Sequence, residues 1–183
     1  MTETPPDYAD RVRENRAEKD RLFAEERGSP VPPERREDFD GLDYFDPDPD
    51  YRVTATVTVH DDPEPVDMDT SDDRTVRYLR VVTFSFDLGG ETYSLQGYRQ
   101  EGGDDAVFVP FRDKTTGQQT YRGGRYMELT PDRELADGDR VTLDFNLAYT
   151  PFCAFSDAFS CPLPPEENWL ETTVPAGERA PDL

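Results

Sequence analysis

Lysine, histidine and cysteine are nearly missing from this sequence of 183 residues. Lys19 and Lys114 are its only lysines, His60 is its single histidine, and Cys153 and Cys161 are its two cysteines. Without a basic stripe the chain has no means of gripping nucleic acid, because phosphate binding depends on cationic side chains that displace counterions. One histidine and two thiols fall short of the four ligands that a structural zinc site generally wants, so no metal is expected. His60 ends an alternating segment in polar register and is read as an exposed strand-end residue. No apolar run approaches the length of a bilayer span, and Met1 to Lys19 is charged throughout with no signal-peptide core. A phosphate-cradling glycine loop, a dinucleotide fingerprint and a paired-histidine zinc helix are all missing, which leaves any cofactor unidentified. The expectation is a cytoplasmic protein with neither membrane nor nucleic-acid partner, its cysteines held as thiols.

What is abundant is acid. Asp and Glu number 41 against 20 Lys and Arg, a net charge of −21. Strand-like segments such as Tyr51 to His60 and Arg140 to Leu147 share in it, so the pattern is that of a folded protein with an acidic shell. Such a shell suits molar salt, where the Debye length falls to about 3 Å and like charges barely repel. Loss of lysine with retention of arginine fits the same solvent. Solvent thus explains the acidity, and a basic partner need not be invoked.

The length suits one domain with a real core. Asp7 to Arg27 places Tyr8, Val12, Leu22 and Phe23 near helical spacing, and Gly28-Ser29-Pro30 stops it. Pro32-Pro33 opens a short helical turn over Glu34 to Asp38. Phe39, Leu42, Tyr44 and Phe45 then form an aromatic strap. From Tyr51 the period is two: Tyr51, Val53, Ala55, Val57 and Val59 alternate with polar residues. Asp61 to Arg74 reads as an exposed loop. Val76 to Leu88 and Glu91 to Tyr98 flank a hairpin at Gly89-Gly90. Further strands are expected at Ala106 to Phe111, Arg125 to Leu129, Arg140 to Leu147 and Trp169 to Val174. The predicted fold is mainly β, an antiparallel barrel or sandwich of about seven strands with an N-terminal helix packed across it. Residues 1–50 supply helix and strap, and residues 51–178 the β domain, as one globular unit.

Polar and thiol residues gather between Val109 and Pro165. Gly123-Gly124 lets the backbone turn or approach closely just before Arg125. In an extended Arg140 to Leu147, Val141, Leu143, Phe145 and Leu147 would face the core and Asp144 and Asn146 the opposite side. Prolines stiffen the segment around Cys153 and Cys161. Arg112 and Arg125 are candidates to bind a small anionic or carbonyl-bearing molecule, since a guanidinium fork suits carboxylate or phosphate. Asp113, Tyr121, Asp144, Asn146 and Tyr149 would complete such a ligand site. Two alternatives stand beside this reading. In one, ion pairs such as Arg125 with Asp144 tie strands together in a non-catalytic structural or interaction module. In the other, Cys153 or Cys161 is the nucleophile or redox thiol of an enzyme, though without a nearby histidine in sequence to activate it.

The same segments carry a resemblance. Thr120-Tyr121 with Gly124-Arg125-Tyr126, Asp144-Phe145-Asn146 with Tyr149 and Cys153, and Cys161-Pro162-Leu163-Pro164-Pro165 with Asn168 are similar to the signature of the domain of unknown function 1684 family. Phe108 to Asp113 and Gly41 to Phe45 resemble it too, and the likeness reaches Ala176-Gly177-Glu178. The chain looks like a haloarchaeal-type member. It departs from the pattern at Arg122, where a small residue is expected, and at Thr150, where asparagine is. The resemblance implies no activity, but it implies that the motif residues act as one unit.

Overall fold

The computed structural model describes residues 4–181. The alternation after Tyr51 becomes β1 (Arg52–Asp69), which turns Val53, Ala55 and Val57 into the core. β2 (Thr75–Leu88) and β3 (Glu91–Arg99) form a hairpin. Gly89 and Gly90 turn it at φ 60° and 85°, angles that two-residue turns of this hand require. β4 (Val107–Phe111), β5 (Arg125–Leu129) and β6 (Arg140–Asp144) complete a sheet ordered β5-β4-β3-β2-β1-β6. Every ladder is antiparallel. The sheet curls into a half-barrel until its edges meet at one point. There Tyr126 of β5 and Tyr149, just past β6, exchange two backbone hydrogen bonds of 2.9 Å. Phe84, Leu95, Val107, Val109, Phe111, Leu143 and Phe145 fill the interior.

The N-terminal helix α1 (Tyr8–Glu25) buries Tyr8, Val12 and Phe23. Its polar side chains hold the strap: Arg16 donates to the Phe45 carbonyl at 2.6 Å, and Asp20 accepts from the Leu42 amide and the Tyr44 hydroxyl. Phe23, Val31 and Phe155 form a second, smaller apolar cluster beneath the helix. Among the described residues no helix is long and apolar enough to cross a membrane.

Three segments differ from expectation. Residues 61–69 are strand, not loop, and only Thr70 to Arg74 turns. β1 passes its acidic, proline-bearing stretch by a bulge between Val59 and Glu64. Pro65 is tolerated because β6 pairs only with Arg52 to Thr56, which leaves that flank of β1 an edge. Trp169 to Val174 adds no seventh strand; it runs alongside the chain after β4, touching it through Leu170 and Thr172. Arg140 to Leu147 stops being extended at Asp144, whose carboxylate accepts the Asn146 amide at 3.0 Å and opens a 3-10 turn, Phe145–Leu147. Leu147 is consequently 54% exposed, and Asn146 does not share a strand face with Asp144.

Candidate functional site

Arg125 is the largest fully buried side chain described. β5 carries it inward beside Phe111, with its guanidinium 5.1 Å from that ring. Its nitrogens donate to the carbonyls of Val174, Ala176 and Glu178, and it lies 3.6 Å from the Asp113 carboxylate. Asp113 accepts from the Thr115 hydroxyl and from the Val174 amide at 2.6 Å. Burial pulls the guanidinium's pKa down, against Asp113 and Glu178, which hold it charged. The pair therefore fastens the C-terminal segment across the half-barrel. Its ion-pair partner is Asp113, not the Asp144 weighed above. Gly124 makes the approach feasible. At φ 87° a Cβ there would stand 2.7 Å from the Phe111 carbonyl oxygen and 2.8 Å from Pro164.

Two buried asparagines act as strand partners. Asn146 accepts from the Asp48 amide and returns a bond to the Asp48 carbonyl, both near 2.9 Å. Asn168 accepts from the Gln96 amide and donates to the carbonyls of Gln96 and Pro110. Pro110 has no N–H to offer β3, so this amide fills the gap where the β3–β4 ladder runs out. Asp144 sits beside Asn146 and accepts the Tyr8 hydroxyl at 2.5 Å. Glu178, part of the resemblance but not among the candidate site residues, is buried and takes the Thr150 amide and the Lys19 ammonium. Arg112 stacks on the partly exposed Trp169 ring at 4.7 Å.

The thiols meet. Cys153 donates its amide to the Cys161 sulfur at 3.3 Å, and the Tyr121 hydroxyl lies 3.6 Å from the Cys153 sulfur. The loop is clamped to the turn after β1: Ser71 and Cys161 exchange hydrogen bonds, and Leu163 donates to Asp69. A hydrogen bond from Cys161 lowers the Cys153 thiol to about 6, with help from Tyr121 and Ser71 and against burial. The same bond and burial push Cys161 up. Tyr121 is raised to about 12, chiefly by burial. Both cysteines are free. Among the described residues no group of three His, Cys, Asp or Glu side chains is placed to hold a metal ion.

A further feature escaped the sequence reading. On the outer face of the sheet Tyr78, Tyr98, Phe108, Tyr126 and Tyr149 surround a pocket of about 440 Å³, with Glu128 and Arg99 at its border. Phe108 stacks on Tyr78 at 5.4 Å and meets Tyr126 edge-on at 4.6 Å. The Tyr126 hydroxyl donates to the Pro162 carbonyl, which joins the pocket to the thiol loop. Tyr149 donates to Glu128 at 2.5 Å. The signal was present in β4, apolar at every position, as a strand covered on both faces must be. A larger hollow of about 780 Å³ between β1, β2 and β6 is lined mainly by threonines and charged side chains.

The named residues thus fall into separate places. Arg125 with Asp113, Asn146 with Asp144, and Tyr121 with the two cysteines are three distinct clusters. Tyr149 belongs to the aromatic pocket, and Arg112 to the surface. Together they define a β half-barrel domain whose motif side chains mostly hold its closing segments. The chain belongs to the DUF1684 family, described as a protein of unknown function, whose pattern matches residues 37–179. Among solved structures it is similar to the solution NMR structure of an uncharacterised protein from Haloarcula marismortui. The two are 70% identical with a TM-score of 0.75, and the match covers 94% of each chain. Comparison with curated proteins gave no match.

Proposed function

We propose that this is a small-molecule binding domain whose ligand occupies the aromatic pocket on the outer face of the sheet. The observation that carries the reading is the pocket itself. Its size lies within the range of ligand sites, and it sets five aromatic rings beside a polar border of Arg99, Gln100, Asp104 and Glu128. The ligand class follows from what borders it. Arg125 gives its hydrogen bonds to main-chain carbonyls and Arg112 lies on Trp169, so the anion hooks expected from the sequence are engaged elsewhere. At the pocket's rim two carboxylates, Asp104 and Glu128, stand against one cation, Arg99, beside electron-rich ring faces. That combination favours a ligand with a flat apolar face and a positive or hydrogen-bond-donating group.

The test is a thermal-melt screen in multimolar potassium chloride against a broad metabolite panel. A ligand at a hundredfold excess over its Kd stabilises the folded state by about 2.7 kcal/mol, a visible shift. The expected hit is a ring-bearing amine whose shift disappears in a folded Tyr78→Ala, Glu128→Gln variant. A shift that survives in that variant, or an empty panel, would count against the pocket. The stack of half-buried Arg112 on exposed Trp169 supports a second reading, a protein-interaction surface, because such anchors are typical of binding hot spots.

A further inference from the structure

We propose that Cys153 and Cys161 form a redox-active dithiol site that takes small-molecule disulfides. This goes beyond the binding reading and rests on different residues. Three geometric facts carry it. The Cys153 amide already points at the Cys161 sulfur at 3.3 Å, across a loop fixed at one end by Ser71 and Leu163. The Tyr121 hydroxyl stands 3.6 Å from the Cys153 sulfur, within reach to donate to a thiolate formed there. The two thiols also differ in access: Cys161 is buried and Cys153 partly open, so an incoming molecule meets Cys153 first. The direction of the acidities agrees, since the proton leaves Cys153 more readily than Cys161.

The exchange balances without a further oxidant. The Cys153 thiolate attacks one sulfur of the small disulfide; the S–S bond of that molecule breaks, and its departing thiolate carries off the electron pair. A mixed disulfide on Cys153 results. Cys161 then loses its proton to solvent and attacks the Cys153 sulfur, expelling the second small thiolate. Two electrons pass from the protein to the disulfide, leaving a Cys153–Cys161 bond and two small thiols. Tyr121 is a positioning residue in this scheme, holding the Cys153 thiolate.

The experiment is reaction of the reduced, full-length protein with 4,4′-dithiodipyridine in molar potassium chloride, followed by absorbance and intact mass. The site predicts two thiopyridones released per chain and a product lighter than the dithiol by two hydrogens. The Cys161→Ala variant should stop at the mixed disulfide, and Cys153→Ala should react at least tenfold more slowly. The wild-type product alone is decisive if either variant fails to fold. Two mixed disulfides on one chain, or one unreacted thiol beside a mixed disulfide, would overturn the proposal.

Discussion

At Arg125 a single buried side chain joins β5 to the C-terminal segment. A guanidinium in a motif suggests a ligand, but here it is buried beside Asp113 with its donors turned to three carbonyls. Breaking a buried pair by removing one partner leaves an uncompensated charge and costs about 3–5 kcal/mol. Arg125→Ala should therefore lose stability on that scale in a denaturant titration at high salt. A variant as stable as wild type would contradict the fastening role. Cys153 gives a residue-level prediction of a different kind. Its thiol sits near 6 against an ordinary value of 9.0, so alkylation by iodoacetamide should be slow below pH 6 and rise as the thiolate forms above it. Tyr121→Phe removes one of the donors that lower the value, and its rate profile should move to higher pH. An unchanged profile would deny Tyr121 its contact.

At the scale of elements, the gaps in the sheet are as informative as the strands. Asn168 stands in for missing ladder bonds between β3 and β4. Asn168→Ala leaves the Gln96 amide and two carbonyls without their partner, a loss of about 1–3 kcal/mol. The Gln96 amide should then exchange hydrogen faster than in wild type; unaltered protection would show that the ladder holds without it. The strands themselves were legible because Val53, Ala55 and Val57 alternate with threonines, and because Gly89-Gly90 marks its own turn. The end of β6 was not. Val141, Leu143, Phe145 and Leu147 keep the alternation through a segment where the Asp144 carboxylate captures the Asn146 amide and bends the chain. A local side-chain bond outcompeted the period. The stretch 61–69 failed for the opposite reason: acid and proline masked an edge strand that tolerates both.

For the whole molecule, charge and closure set the behaviour. A net charge of −21 on a fold this size should repel itself in dilute buffer, and screening should relieve it. The melting temperature is therefore expected to climb steadily from dilute buffer to molar potassium chloride; a flat profile would remove the solvent explanation of the acidity. The sequence marked Asp113, Arg125, Asn146 and Asn168 as motif residues expected to act as one unit; instead Asp113 with Arg125, Asn146, and Asn168 each hydrogen-bond their own segment of the half-barrel. That they form separate clusters was not legible, because their separation arises from the curl of the sheet and no spacing along the chain encodes it. The aromatic pocket depends on the same curl, which brings Tyr149 beside Tyr126. The most direct test of its role is an NMR titration in multimolar potassium chloride with phenyltrimethylammonium, a ring-bearing cation, as probe. The account predicts ring and methylene shifts concentrated on Tyr78, Phe108, Tyr126, Tyr149 and Glu128. Saturable shifts centred on Arg125 and Asn146 instead, or no shifts at all, would contradict it.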